Sequence, residues 1–205
     1  MQDLRQKLAE IANEFDICKK QMFTAALVCE AFSRNGFEGI IVGGSAIEFY
    51  TDGAYMSGDV DICWDGRTPQ PTPRDKVRIM SELGGAGGVR SFILGGLYID
   101  LLNEVETIAK TDFVTLECPY GPLRLIPVEE LIVERVLTSV YPQPNLENEN
   151  CAKKLIAYGL SATGPCDWKE VKRLAQCPEY QILKELDNLV KVVKYEIKQQ
   201  NMEMG

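Results

Sequence analysis

Two stretches decide the fold: Ile40-Ile41-Val42-Gly43-Gly44-Ser45-Ala46 and, later in the chain, Asp59-Val60-Asp61-Ile62. An apolar run that breaks at Gly-Gly-Ser and continues with helical spacing predicts a strand, a tight turn and the start of a helix. Such a turn can bind phosphate, because glycine leaves backbone N–H groups uncovered and the helix end that Ser45 would cap carries partial positive charge. We therefore predict that Gly43, Gly44 and Ser45 form a phosphate-binding turn.

Three aspartates on predicted strands are candidate metal ligands. In Asp59-Val60-Asp61 the carboxylates stand two residues apart, and strand alternation directs both to one face, about 7 Å apart along the chain. Asp100 lies inside the apolar run Leu97-Tyr98-Ile99-Asp100-Leu101-Leu102, where a half-buried charge needs a reason. Carboxylate oxygens suit Mg²⁺. Glu104 and Glu106 are alternatives for the third acid if this strand runs longer.

This ordered set of residues resembles the nucleotidyltransferase superfamily in its minimal, polymerase-beta-like form. The signature of that superfamily is a Gly-Gly/Ser turn, then Asp-x-Asp, then a third acid on a neighbouring strand, and the resemblance covers roughly residues 36 to 140. It implies catalytic and metal-binding roles for Asp59, Asp61 and Asp100, which would hold one or two Mg²⁺ ions. It also implies that the Gly43-Gly44-Ser45 turn holds the phosphates of a nucleoside triphosphate.

The same resemblance implies an Mg²⁺-dependent enzyme that moves a nucleoside monophosphate from a nucleoside triphosphate to a hydroxyl acceptor. That acceptor would be a small molecule, a protein or an RNA end, and some members of the superfamily act as toxins of toxin-antitoxin pairs, which adds a partner protein to the options. One alternative is a catalytically inactive member that binds nucleotide or a partner protein. Another is a scaffold without a ligand. All three acids are present, which favours the enzyme.

Composition and charge narrow the classes of function. The chain of 205 residues is 45% hydrophobic and carries a formal net charge of -8, a field that argues against extended nucleic acid as a partner. It has no histidine, which excludes histidine-based catalysis and metal ligation. Its seven cysteines lack Cys-x-x-Cys spacing and are interpreted as reduced thiols, and no apolar stretch approaches the ~20 residues that cross a bilayer. We therefore predict a cytoplasmic protein.

The pattern of elements predicts an α/β (α+β) fold, a small mixed sheet flanked by helices with a helical part after it. The first 34 residues have helical periodicity and predict two helices or one bent helix. Two hairpins are predicted, with turns at Gly95-Gly96 and Tyr120-Gly121. The run Gly84-Gly85-Ala86-Gly87-Gly88 lacks the Lys-Ser/Thr of a phosphate loop, and we predict that it is a flexible connection between a helix and a strand.

A proline-containing stretch marks the predicted boundary between two domains. Tyr141-Pro142-Gln143-Pro144-Asn145 would separate a nucleotidyltransferase-like α/β domain at residues 1–140, which includes the N-terminal helices, from a helical domain at residues 141–205. Beyond this stretch the apolar periodicity predicts three helices, at Leu146 to Leu160, Asp167 to Ala175 and Glu179 to Gln200.

Overall fold

The structure is a computed structural model that describes residues 1–162, 164 and 166–203. It confirms the mixed α/β class, with a seven-stranded sheet and a helical C-terminal region. The helices of the described residues are α1 (Gln2–Ile11), α2 (Ile17–Ser33), α3 (Gly43–Tyr50), α4 (Pro73–Leu83), α5 (Val128–Val140), α6 (Leu146–Leu160), α7 (Trp168–Gln176) and α8 (Leu183–Glu203). The strands are β1 (Gly39–Ile41), β2 (Asp59–Trp64), β3 (Ala86–Gly87), β4 (Ser91–Leu94), β5 (Leu97–Glu104), β6 (Val114–Leu116) and β7 (Leu123–Leu125).

The sheet has the strand order β3-β4-β5-β2-β1-β7-β6, which places β2 at its centre. Both predicted hairpins are confirmed, because β4 pairs antiparallel with β5 and β6 pairs antiparallel with β7. On one side β2 pairs antiparallel with β1, and on the other it pairs parallel with β5. The two acid-bearing strands, β2 and β5, are therefore direct neighbours.

The prediction of a flexible connection after α4 was wrong. Gly84 ends the helix with a left-handed φ of 96°, as a glycine at this position can. Ala86 and Gly87 then form β3, which pairs with β4. A Cβ atom on Gly87 would lie 2.3 Å from the carbonyl oxygen of Ser91, so the close approach of the two strands requires glycine. Local composition could not show this pairing, because the partner strand supplies it.

Capping explains where the N-terminal helices begin. The first 34 residues form two helices, since the Asp16 side chain accepts a hydrogen bond from the third N–H of α2 and starts a new helix there. The prediction that Ser45 caps α3 was wrong. That helix begins at Gly43, and its N-cap residue is Val42, which has no side-chain capping bond.

The chain forms two compact units, residues 1–106 with 113–126 and residues 107–112 with Pro127 onward. The first unit contains the whole sheet and α1 to α4, and its core includes the rings of Phe32 and Trp64, whose centroids lie 4.7 Å apart. The second unit contains α5 to α8. The predicted domain boundary at residue 140 falls inside this second unit. Over the described residues, no helix has the length and apolar character needed to cross a membrane.

A buried carboxylate explains why residues 107–112 belong to the helical unit. Glu130 of α5 is only 4% exposed, and it accepts hydrogen bonds from the backbone N–H groups of Ile108 and Ala109, each at 3.2 Å. The same carboxylate accepts from the Thr107 hydroxyl and from the Tyr180 hydroxyl, the latter at 2.9 Å. Charge-assisted hydrogen bonds are roughly twice as strong as neutral ones, so this carboxylate attaches the segment to α5.

Candidate active site

The three aspartates predicted as metal ligands lie together on the central strands. Asp59 and Asp61 are on β2, and Asp100 is on β5 directly opposite Asp61 in the parallel register. Each offers a carboxylate oxygen such that these atoms all lie within 4.8 Å of one another. The three residues are half-buried. Strand alternation accounts for the arrangement, because residues two apart on one strand and residues in register on the next share one face of the sheet.

The two glycines of the predicted phosphate turn lie against this acid cluster. Gly43 has a left-handed φ of 58°, and a Cβ atom there would lie 2.7 Å from Oδ2 of Asp61. A Cβ atom on Gly44 would lie 2.7 Å from the hydroxyl oxygen of Ser57. Any side chain at either position would displace neighbouring polar atoms. The backbone at the N-terminus of α3 therefore lies directly against the carboxylate of Asp61, with no room for a side chain between them.

The side chain of Ser45 makes hydrogen bonds inside the protein and does not cap α3. The residue is fully buried, and its hydroxyl donates a hydrogen bond to the Val42 carbonyl at 3.0 Å. The same oxygen accepts from the backbone N–H of Asp61 at 3.1 Å. The hydroxyl thus connects α3 to the acid-bearing strand. Of the three residues of the predicted turn, Gly43 and Gly44 are half-buried, and they carry first-turn N–H groups that helix geometry leaves without partners inside the helix.

A buried polar cluster behind the acids was not found from the sequence. Ser57 donates from its hydroxyl to Oδ1 of Asp59 at 3.3 Å, and its backbone N–H donates to Oε2 of Glu48 at 2.7 Å. Gln21 of α2 donates from Nε2 to the Ser57 carbonyl at 3.1 Å. Burial raises the pKa of the Glu48 carboxyl, which is fully buried on α3. The available signal was a carboxylate inside the apolar stretch from Ala46 to Tyr50.

The alternative third acids do not join the cluster. Among the described residues, the group of acids close enough to share a metal ion consists of Asp59, Asp61 and Asp100. Glu104 is at the end of β5, opposite Trp64, and its carboxylate lies against Gly66, where an added Cβ atom would be 1.9 Å from Oε1. Glu106 lies beyond the end of β5. The geometry thus favours Asp100 over both glutamates.

Comparison with known proteins identifies the fold. No protein-family model matches the chain, and no curated protein matches it either. Among solved structures, the chain is similar to an antigenic nucleotidyltransferase-like protein from Paracoccidioides brasiliensis, with a TM-score of 0.52 and 15% identity over 83% of this chain and 92% of that one. It is also similar to the antibiotic-resistance factor ANT(2'')-Ia, with a TM-score of 0.45 and 15% identity over 89% of this chain and 96% of that one. The first similarity shows that this chain has a nucleotidyltransferase-like fold.

Proposed function

We propose that this protein is an Mg²⁺-dependent nucleotidyltransferase, which moves a nucleoside monophosphate from a nucleoside triphosphate to a hydroxyl group. The observation that carries the proposal is the clustering of Asp59, Asp61 and Asp100 on adjacent strands beside the N-terminus of α3. The three carboxylates suit a divalent cation, and the N-terminus of α3 suits phosphate. A nucleoside triphosphate with its metal ion needs both.

The donor set fits magnesium. Three carboxylates whose oxygens lie within 4.8 Å of one another repel each other, and a divalent cation between them would remove that repulsion. Hard oxygen ligands are those that Mg²⁺ prefers, and it usually takes only one or two protein carboxylates and completes its shell with water and substrate phosphates. Asp59, Asp61 and Asp100 would therefore hold one or two ions. When bound, Mg²⁺ would neutralise charge on the triphosphate and make the α-phosphorus more electrophilic.

The triphosphate would lie at the first turn of α3. The backbone N–H groups of Gly43 and Gly44 would bind it, because they lie in the first turn, where N–H groups lack partners inside the helix and the helix dipole adds partial positive charge. The absence of side chains at the two glycines allows phosphate oxygens to approach these groups closely. In this arrangement Ser45 contributes by connecting the turn to the strand of Asp61, because the residue is fully buried and its hydroxyl is bonded within the protein.

The chemical step is a displacement at the α-phosphorus. The acceptor oxygen forms a bond to phosphorus, the bond from phosphorus to the bridging oxygen of pyrophosphate breaks, and pyrophosphate leaves. The proton of the acceptor hydroxyl goes to the carboxylate of Asp100, which stands on the strand farther from α3. Asp59 is held in place for this step by the Ser57 hydroxyl.

Location follows from the same proposal. A nucleoside triphosphate is an intracellular substrate, and all seven cysteines are free thiols, several of them buried, which fits a reducing compartment. We therefore place the protein in the cytoplasm.

Thermal unfolding with and without nucleotide tests the binding half of the proposal. A ligand that binds only the native state adds about 2.7 kcal/mol of stability at a hundredfold excess over Kd. We expect Mg²⁺ with at least one of ATP, GTP, CTP and UTP to raise the melting temperature, and Asp61→Asn to abolish the rise. Glu117→Gln, which changes an exposed carboxylate just beyond β6, is the control and keeps the effect. A melting temperature that none of the four nucleotides changes would contradict the proposal.

Pyrophosphate release tests the catalytic half. Asp100→Asn is expected to keep nucleotide affinity within a few fold and to lower the rate of pyrophosphate release by at least ~10²-fold, the scale for losing a positioned proton acceptor. Nucleotide binding without pyrophosphate release from the wild-type protein, measured with its acceptor present, would instead support the inactive nucleotide-binding module.

A further inference from the structure

The proposed reaction leaves a cavity beside β5 of the first unit unused. It has a volume of about 500 Å³. It exists because β4 stops short of β5: the last residue pair between them joins Ser91 to Asp100, and β5 continues to Glu104. Its walls are formed by the start of α4 and the loop before it, by the loop before β4, and by the end of β5 with the residues just after it. They include Pro71, Lys76, Val89, Arg90, Leu102 and Glu106.

Two carbonyl groups at the end of β5 are hydrogen-bonded although β4 does not extend beside them. Lys76 of α4 is 8% exposed, and its Nζ donates to the carbonyl oxygens of Leu101 at 3.0 Å and Leu102 at 2.6 Å. Burial lowers the pKa of this ammonium group. Because these carbonyls are already paired within the protein, the cavity wall is preformed and does not need a further strand to complete it.

The cavity adjoins the acid cluster on the side where an acceptor is needed. Leu102, which lines the cavity, follows Asp100 by two residues on β5, so the two side chains share one face of the sheet about 7 Å apart. The phosphate turn of α3 follows β1, which is the opposite neighbour of β2. In an in-line displacement the acceptor and the leaving pyrophosphate stand on opposite sides of the α-phosphorus. A triphosphate on the β1 side therefore leaves the β5 side to the acceptor.

The polar groups around the cavity indicate the charge of its ligand. Arg90, Glu104 and Glu106 all line it and are exposed. Over the part of the chain that the structure describes, their side chains make no ion pair with one another. A ligand that satisfied all three would carry a positive group for the glutamates and a negative group for the arginine. The volume lies in the range of small-molecule sites, about 300 to 1,000 Å³.

We propose that this cavity is the acceptor site and that the acceptor is a zwitterionic small molecule with a free hydroxyl group. The assignment rests on the proposed nucleotidyl transfer and adds to it the class of the second substrate. Its cationic group faces Glu104 and Glu106, its anionic group faces Arg90, and its hydroxyl reaches Asp100 along the face that Leu102 shares.

A matched pair of valine substitutions tests the assignment. Val89 lines the cavity and is 49% exposed, while Val77 on α4 does not line it and is 38% exposed. Wild-type protein, Val89→Trp and Val77→Trp are each incubated with Mg²⁺ and nucleoside triphosphates labelled at the α-phosphate. Each reaction receives either the low-mass fraction of an extract of the source cells or its macromolecular fraction. Labelled products and bound nucleotide are measured separately.

We expect label to pass to a small molecule of the low-mass fraction, and Val89→Trp to lower that transfer at least about tenfold while it binds Mg²⁺ and nucleotide like wild type. Val77→Trp transfers at the wild-type rate. The labelled product is then purified, and its unlabelled acceptor, here called the parent compound, is used as the substrate. Arg90→Gln and Glu106→Gln each raise KM for this compound at least about tenfold with little change in kcat, which is the scale of one lost charge-assisted hydrogen bond. The parent compound is zwitterionic.

Each contrary result identifies which statement fails. Absence of both nucleotide binding and pyrophosphate release overturns the proposed function itself. Nucleotide binding with label found in the macromolecular fraction, or in neither fraction, overturns the acceptor site alone. Equal rates of transfer to a small molecule by Val89→Trp and Val77→Trp also overturn the acceptor site. A parent compound that lacks either charge overturns the statement that the acceptor is zwitterionic.

Discussion

Ser45 is the residue that couples the phosphate turn to the acid cluster. Its hydroxyl joins the Val42 carbonyl to the Asp61 N–H and is fully buried while doing so. A residue of this kind affects the site through the position of its neighbours. Sequence alone could place it beside the glycines, but the partner of a hydroxyl is decided by which strand packs against the helix.

The Ser45→Ala variant is expected to lose stability before it loses affinity. Removing the hydroxyl removes the hydrogen bond that the N–H of Asp61 makes to Ser45, a cost of about 1 to 3 kcal/mol in the free energy of unfolding. Urea unfolding measures this cost, and Ser33→Ala, which removes an exposed hydroxyl, is the control and should change stability by less than about 0.5 kcal/mol. Full stability with weakened triphosphate binding would show that the hydroxyl contacts phosphate instead.

Glu48 gives the stability of the protein a pH dependence. A carboxyl whose pKa is raised on folding contributes stability below its unfolded pKa, here 4.5, and that contribution is lost as the pH rises through the raised value. Glu48→Gln removes this titration and keeps an oxygen for the N–H of Ser57. The variant should therefore gain stability relative to wild type between about pH 4 and about pH 8.

Denaturant unfolding at the two pH values checks this expectation. Glu147→Gln, on the exposed surface of α6, serves as the control for a general effect of removing one charge. The difference in unfolding free energy between Glu48→Gln and wild type is compared at the two pH values. If it is the same at both, Glu48 is not buried on α3.

At the scale of elements, the sequence predicted what depends on local pattern and missed what depends on a distant partner. The strand, glycine turn and helix around Gly43 and the alternation of Asp59 and Asp61 follow from periodicity, and the structure shows these elements. The strand formed by Ala86 and Gly87 could not be predicted, because β4 creates it by pairing. The polar cluster at Ser57 could not be predicted for the same reason, because α2 and α3 supply its hydrogen-bond partners.

The segment at residues 107–112 is attached to α5 by the Glu130 carboxylate, and this attachment can be tested separately. Glu130→Ala leaves the N–H of Ile108 without its acceptor and leaves the N–H of Ala109 with the Thr107 hydroxyl alone, so we expect the Ile108 amide hydrogen to exchange with solvent at least about tenfold faster. Hydrogen exchange followed by mass spectrometry measures the effect, with Glu147→Ala as the control. Unchanged protection in Glu130→Ala would mean that other contacts hold the segment.

For the whole molecule, the net charge of -8 is compatible with the proposed binding of a triphosphate at the acid cluster. An acidic protein repels polyanions, but a triphosphate that arrives with its cation and contacts only a short turn avoids most of that field. The fold class could be predicted from the order of elements. The division into units could not, because the attachment of residues 107–112 to the second unit depends on buried carboxylates from helices that come later in the chain.

The most direct test of the central claim is the position of a bound metal ion. Crystals grown with Mn²⁺ and a non-hydrolysable nucleoside triphosphate are measured for anomalous scattering, since Mn²⁺ accepts the octahedral oxygen sites that Mg²⁺ occupies. We predict an anomalous peak within about 2.5 Å of carboxylate oxygens of Asp59 and Asp61, with Asp100 bound to the same ion or to a second one, and phosphate oxygens at the N–H groups of Gly43 and Gly44. A nucleotide bound elsewhere, or an anomalous peak away from these aspartates, would contradict the claim.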